Sequence, residues 1–269
     1  MSTMRPGPLV IKLSGSAVEA PATRGDLWAA IARAHESHAG GVVVVHGGGN
    51  ALDAHLTRLG MATVRRDGIR LTPPDQMAEV AAVLAGKLNK ALVGAMLAAG
   101  AMAVGVSIGD GGAVRCAKTT RYGFDAGQVG EVVGGDGRLL RVLLEAGYLP
   151  VLNSVGIDDA GALLNVNADD AAVGVAGVLG ATALVLLTDV KGVLDGTGAV
   201  IEEIGPGGAD ELVRSGVVTG GMIPKVHAAA AGASRSGSPA IIASYNDPAG
   251  LVRLARGEAF GTRILPAGV

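Results

Sequence analysis

Lys12 sits inside the apolar run "VIKLSG", and Lys225 follows the glycine pair of "TGGMIPKV". Between them "NVNADD" sets Asn165, Asn167, Asp169 and Asp170 ahead of a long Ala-rich segment. Burying a lysine in a strand is expensive unless an anion pairs with it. Taken alone, Lys12 equally fits an edge-strand lysine that reaches solvent. Helix capping explains part of the polar cluster: Asn167 serves as the cap and the two aspartates complement the dipole of the first turn. That leaves Asn165 and one aspartate for a ligand or for cationic side chains.

A second group of residues offers bare backbone. "VVVVHGGGN" runs from four valines into His46 and three glycines, the pattern of a buried strand opening into a loop and a helix. There the N–H groups of Gly48 and Gly49 can approach an anion closely. The spacing matches neither GxGxxG nor GxxxxGK[ST], so neither a dinucleotide fingerprint nor a Walker loop is indicated. An esterase would need a GxSxG elbow, which is absent. His46 reads as a structural residue at the strand end. Arg70, alone between apolar residues in "DGIRLTPPD", suits a carboxylate clamp. Thr188, Asp189, Lys191 and Gly192 give the strand "VLLT" a polar exit, and Gly220 and Gly221 precede Met222 at a helix start.

These residues need a scaffold that brings strand ends together. Short Val/Ile/Leu runs recur at Leu9–Leu13, Val42–Val45, Ala103–Ile108, Leu149–Val155, Ala183–Leu187 and Ala240–Ala243. Helix-favouring segments lie between most of them, at Asp26–Ser37, Asp75–Ala99, Arg138–Ala146, Ala168–Leu179 and Pro224–Ser236. Strands alternating with helices predict an α/β fold with a mainly parallel sheet, whose ligands sit beyond the carboxyl ends of the strands. Two stretches interrupt the rhythm: Asp110–Gly137, read as a hairpin-bearing excursion, and Gly192–Gly208, with "DGTGAV" as a hairpin turn.

Composition narrows the class. The 269 residues suffice for one large domain or two lobes. Hydrophobic residues make up 49% and aromatics only 2%, so Ala, Val, Leu and Ile must fill the core. A net charge of -2 gives no electrostatic reason to expect nucleic acid or an anionic membrane surface. No uninterrupted apolar run reaches the ~18 to 20 residues of a membrane span, and no secretory h-region opens the chain. A cytoplasmic location is the expectation. The single cysteine, Cys116, cannot form an internal disulfide and reads as a small core or semi-exposed thiol rather than a catalytic one.

In combination "IKLSG", "VVVVHGGGN", "DGIRLT", "LLNVNADDAA", "LLTDVKGVLD", "TGGMIPKV" and "GTRIL" resemble the amino acid kinase family, in order and over nearly the whole chain. Within it the words are similar to those of the branch that phosphorylates N-acetyl-L-glutamate. The resemblance implies a three-layer αβα sandwich with an acetylglutamate-binding and dimerising lobe, residues 1–176, and an ATP-binding lobe, residues 177–269. It implies transfer of the ATP γ-phosphoryl group to the γ-carboxylate, a step of arginine biosynthesis. By the same resemblance Lys12 and Lys225 stabilise the transferring group, and Asp169 holds both lysines. Gly15, Gly48 and Gly49 cradle oxygens, Arg70 and Asn165 fix the acceptor, and Thr188, Asp189, Lys191, Gly192, Gly220, Gly221 and Met222 surround the nucleotide.

Mg²⁺ is expected on the ATP phosphates and water, with no dedicated protein ligand. Ser14 replaces the first glycine of the family's usual "KLGG" turn. The short, proline-bearing start "MSTMRPGP" argues against an extra N-terminal helix, and so for a homodimer insensitive to arginine. A carrier-linked aminoadipate kinase and a non-catalytic sensor are the alternatives. The intact "NVNAD" and "DGIRLT" speak against the first, and the presence of Lys12, Asp169 and Lys225 against the second.

Overall fold

The computed structural model describes residues 6–19 and 21–267. The expectation of no helix in "MSTMRPGP" rests largely on Met1–Arg5, outside the described residues. In chain order the strands are β1 (Leu9–Leu13), β2 (Val42–His46), β3 (Arg65–Arg66), β4 (Ile69–Arg70), β5 (Ala103–Ser107), β6 (Arg115–Lys118) and β7 (Val129–Gly134). They continue with β8 (Leu149–Asn153), β9 (Val155–Ile157), β10 (Leu163–Val166), β11 (Ala183–Thr188), β12 (Glu203–Ile204), β13 (Ala240–Ser244) and β14 (Thr262–Ile264). The helices are α1 (Gly15–Val18), α2 (Gly25–Ser37), α3 (Gly49–Arg58), α4 (Pro74–Ala81), α5 (Asn89–Ala98) and α6 (Arg138–Glu145). They end with α7 (Ala168–Leu179), α8 (Gly208–Arg214), α9 (Met222–Ser236) and α10 (Pro248–Ala255).

The central sheet runs β12-β14-β13-β11-β1-β2-β8-β5, parallel throughout except for the β13–β14 pair. Alternation along β1 and β2 sorts the two covering layers. Leu9, Ile11, Leu13, Val42 and Val44 pack with α2, α5 and α10, whereas Val10, Val43 and Val45 pack with α6 and α7. The expected αβα sandwich is therefore the observed one. Trp28, the largest fully buried side chain, anchors α2 and donates its indole N–H to the Pro21 carbonyl at 2.6 Å. The expected lobe boundary at residue 176 falls inside α7, and β11 pairs directly with β1, so both halves share one sheet.

A smaller sheet, β6-β7-β10-β9, shares a core with α7 and one face of the large sheet and contains the hairpin expected within Asp110–Gly137. The "DGTGAV" turn closes on a Leu194–Val200 bridge. Two strand expectations need correction. The run Leu149–Val155 divides at Ser154: β8 stays in the large sheet and β9 joins the small one. Asn153, 1% exposed, makes the division, its Nδ2 donating to the Val106 carbonyl at 3.1 Å and its Oδ1 accepting from Val155 N. β5 ends at Ser107 rather than Ile108, because Asp110 Oδ2 accepts the Ser107 amide at 2.8 Å.

Residues Pro74–Ala98 form one continuous helical rod whose middle, Ala82–Leu88, has π-helical hydrogen bonding. Its length and composition would allow it to cross a membrane. Here Val83, Leu84 and Leu88 bury against α3, and Leu92 and Met96 against the large sheet.

Candidate active site

The alternation that points Val10 toward α7 points Lys12 the same way. Its Nζ lies 2.8 Å from Asp169 Oδ1, with the lysine 18% and the aspartate 52% exposed. Asn167 is the cap of α7, as expected: its Oδ1 accepts from Asp169 N at 2.8 Å and Asp170 N at 3.3 Å. The carboxylate is thus placed by a rigid helix start. Asp169 borders two cavities, one lined by Gly47, Gly48, Gly49, Arg70, Asn165 and Tyr122, the other by Lys12, Ser14, Thr188, Pro224, Lys225 and Ala228.

Bare backbone in the first cavity is a matter of space. A Cβ on Gly48 would stand 2.1 Å from Leu88 Cδ1, in the π-helical segment, and one on Gly47 would stand 3.0 Å from the Ala168 Cβ. His46, fully buried, is held by the same arrangement. Its Nδ1 is 2.8 Å from the Gly47 carbonyl, and its Nε2 accepts from Asn89 Nδ2 at 3.1 Å. Because Asn89 Nδ2 also donates to the Val151 carbonyl, the proton of the neutral imidazole belongs on Nδ1. Burial pulls the imidazole down to about 4, against the opposing Gly47 hydrogen bond. His46 is structural, as its position at the strand end suggested.

Arg70, 9% exposed along its side chain, does not face solvent. Its Nη1 meets Asp53 Oδ1 at 2.5 Å and its Nη2 donates to the Gly49 carbonyl at 3.1 Å. Arg65 takes the other oxygen of Asp53 at 2.8 Å. Burial alone would raise the Asp53 carboxyl, and the two guanidiniums outweigh it and hold it below its ordinary value. Sequence reasoning missed Asp53. Its signal was faint: a carboxylate on the helix that follows the glycines, with nothing in its spacing to tie it to Arg70. Asn165 donates through Nδ2 to Thr72 Oγ1 at 2.9 Å. Thr72 is fully buried, bridged by its backbone to Ala126 and Gln128.

In the second cavity Lys225, from the first turn of α9, donates to Asp189 Oδ1 at 2.9 Å and to Thr188 Oγ1 at 3.2 Å. Lys225 and Thr188 together hold the Asp189 carboxyl down to about 2. Asp169 therefore holds Lys12, while Lys225 is held by Asp189 and not by Asp169 as the resemblance implied. One cation comes from strand β1 and the other from the first turn of α9, each with its own carboxylate.

The remaining positions scatter around this centre. Gly15 opens α1 at the surface, and Ser14 Oγ, at the cavity edge, is 3.2 Å from Ser16 Oγ. Gly220 and Gly221 precede α9, and Met222, its first residue, packs into the C-terminal core. Lys191 lines a different cavity, with Glu202, Asp247 and Arg253. Gly192 is a packing position, since a Cβ there would stand 2.7 Å from Thr262 Oγ1. Burial raises the Cys116 thiol to about 11, consistent with a core residue.

A mainly parallel sheet with a glycine-rich exit after β2 and two carboxylate-held lysines, one from β1 and one from α9, is the framework of a phosphotransferase fold. The chain belongs to the amino acid kinase family, whose model matches residues 7–244. Among curated relatives, it is 44% identical to acetylglutamate kinase of Vibrio vulnificus (strain YJ016) over 260 residues, covering 97% of each chain. It is 41% identical to acetylglutamate kinase of Edwardsiella ictaluri over 257 residues, 96% of this chain and 98% of that one. Among solved structures, smu.665 from Streptococcus mutans UA159 superposes with a TM-score of 0.70 at 28% identity, covering 96% of this chain and 98% of that one. N-acetylglutamate synthase from Neisseria gonorrhoeae shares the fold with a TM-score of 0.78 at 22% identity, over 99% of this chain and 61% of its own.

Proposed function

We propose that this chain is an acetylglutamate kinase, transferring the γ-phosphoryl group of ATP to the γ-carboxylate of N-acetyl-L-glutamate. The observation that carries the reading is the Lys12–Asp169 pair: Asp169 borders both cavities, and the lysine it holds lines the second of them beside Lys225. Full-length relatives named acetylglutamate kinase supply the acceptor.

The chemistry suits the residues. A γ-carboxylate, ordinarily about 4.3, is ionised at neutral pH and needs no general base. A carboxylate oxygen attacks the γ-phosphorus, the bond to the β–γ bridging oxygen breaks, and ADP leaves with the electron pair. Two anions must meet in line, which requires fixed positive potential rather than proton transfer. Arg70 and Asn165 orient the acceptor, the Gly48 and Gly49 amides face its reacting end, and Lys12 and Lys225 stabilise the charge on the phosphoryl group.

Asp169 and Asp189 are engaged by lysines, and among the described residues no three His, Cys, Asp or Glu side chains cluster to hold a metal. This donor set fits Mg²⁺ that arrives on the nucleotide phosphates and water and supplies further charge neutralisation there. A cytoplasmic homodimer acting in arginine biosynthesis completes the proposal. The 1–176 lobe takes the acceptor and the 177–269 lobe the nucleotide.

The test is ATP-dependent hydroxamate formation with N-acetyl-L-glutamate, glutamate, aspartate and aminoadipate, trapping the acyl phosphate with hydroxylamine. Product only with the acetylated acceptor supports the reading. Measurable ATP binding without product from any acceptor overturns it.

A further inference from the structure

One Trp, three Tyr and two Phe are all the aromatic residues of the chain, and two of them lie partly exposed side by side rather than in the core. Tyr122 and Phe124 stack with ring centroids 5.8 Å apart and planes 22° from parallel. Arg66, on the hairpin that carries Arg70, covers the Phe124 ring at 4.3 Å. Arg121 covers the Tyr122 ring at 5.0 Å and donates to its hydroxyl at 2.7 Å. The same Arg121 Nη2 pairs with Asp170 Oδ2, and Arg235, in the last turn of α9, takes Asp170 Oδ1 at 2.6 Å.

These contacts make one unbroken ladder: Arg66, Phe124, Tyr122, Arg121, Asp170, Arg235. Tyr122 is a wall of the acceptor cavity, and Arg235 belongs to the helix whose first turn presents Lys225. Asp170 is the middle rung, 13% exposed, with both oxygens engaged and its backbone fixed by the Asn167 cap beside Asp169. Its dipole role at the α7 start explains neither guanidinium.

We propose that Asp170 is a positioning residue for phosphoryl transfer, seating the Arg121–Tyr122 wall of the acceptor cavity against the helix that carries Lys225. It touches neither reactant and acts through Arg121 on one side and Arg235 on the other. The inference rests on the acceptor-cavity reading given above.

The test compares wild type, Asp170→Asn, Arg121→Gln, Arg235→Gln and the double Arg121→Gln/Arg235→Gln in the hydroxamate assay, with KM measured separately for N-acetyl-L-glutamate and ATP. Asp170→Asn is expected to raise the acceptor KM about tenfold, the change that follows loss of about one charged hydrogen bond. Arg235→Gln raises it too, although Arg235 does not line that cavity, and Arg235→Lys, which keeps the charge, recovers most of the loss. The double variant is no worse than the stronger single one, because both arginines act through one carboxylate.

A merely structural role would lower Tm and active fraction and leave the acceptor KM alone. An acceptor KM in Asp170→Asn within twofold of wild type overturns the proposal, as does multiplication of the two arginine effects. Should Asp170→Asn fail to fold, the half-exposed Arg235→Gln and Arg121→Gln decide by themselves. A wild type that yields no hydroxamate refutes the acceptor reading instead, which keeps the two failures distinct.

Discussion

Replacing Lys12 by Met separates catalysis from folding, because the proposed function gives the lysine a large role in one and its contacts give it a small role in the other. The thioether fills the space of the alkyl stem, so packing against α7 is nearly conserved. Asp169 loses its partner but is 52% exposed and stays hydrated, and its backbone remains fixed by Asn167. A pair whose carboxylate is open to water in this way contributes within about 1 kcal/mol. For a chain of this size that is a Tm change of about 2 to 4 °C.

The rate effect is of another order. A fixed cation aimed at developing charge in a partly closed site contributes about 3 to 4 kcal/mol, or a loss of about 10²- to 10³-fold in kcat. The KM for N-acetyl-L-glutamate should change little, since the interaction strengthens as the phosphoryl group transfers. Asp169→Asn should act in the same direction, and the double variant should fall well short of the product of the singles. Single-turnover hydroxamate formation and a thermal melt on each variant give the measurements. A kcat within threefold of wild type, or a defect confined to KM, refutes the role assigned to Lys12. A fall in Tm beyond about 10 °C would refute the stability arithmetic.

Three further outcomes follow from the same geometry. His46 is held near 4 in the folded chain and returns to its ordinary value of about 6.5 on unfolding, so below that pH the unfolded chain takes up the proton first. Its contribution is present in full above pH 6.5 and is lost between pH 6.5 and 4, about 3 kcal/mol in all. Urea titrations from pH 7 to 5 on wild type and His46→Gln should differ in slope, and parallel curves would sink this reading. Gly127 has φ near +74°, and a Cβ there would stand 2.2 Å from the Thr72 carbonyl oxygen. Gly127→Ala should therefore cost more than about 1 kcal/mol and raise the acceptor KM by disturbing the Thr72–Asn165 contact, as read by thermal melts and kinetics. Arg70→Lys keeps the charge but loses the fork shared between Asp53 and the Gly49 carbonyl, so the acceptor KM should rise about tenfold while that of ATP holds, as judged by initial rates.

Local signals told most about local structure. The valines of β2, the glycines after them and the Asn167 cap were legible because each has its reason within a few residues. So was the parallel sheet, from the alternation of short apolar runs with Ala-rich segments. What escaped was long-range partnership. Asn89 is 43 residues from His46, and nothing in either neighbourhood names the other. Asp170 read as a dipole complement because its first-turn position suffices for that, whereas Arg121 and Arg235 lie 49 and 65 residues away. The assignment of Lys225 to Asp189 rather than Asp169 depends on which strand exit lies nearer, a matter of sheet order. Register shifts were equally silent: Asn153 turns β8 into β9 through side-chain bonds that an apolar run does not advertise, and the π-helical segment keeps an ordinary helical composition.

Sheet order also sets a schedule for synthesis. Leu9 pairs with Ala183, so one flank of the first strand waits for a segment 174 residues further on (183 minus 9). At about 5 to 20 residues per second on the ribosome, that flank stays open for roughly 10 to 35 seconds after the strand emerges. It is fully apolar apart from Lys12, the kind of unpaired strand that recruits chaperones or neighbouring nascent chains. The lysine proposed to act in phosphoryl transfer is then the one charge guarding that open edge until β11 arrives to cover it.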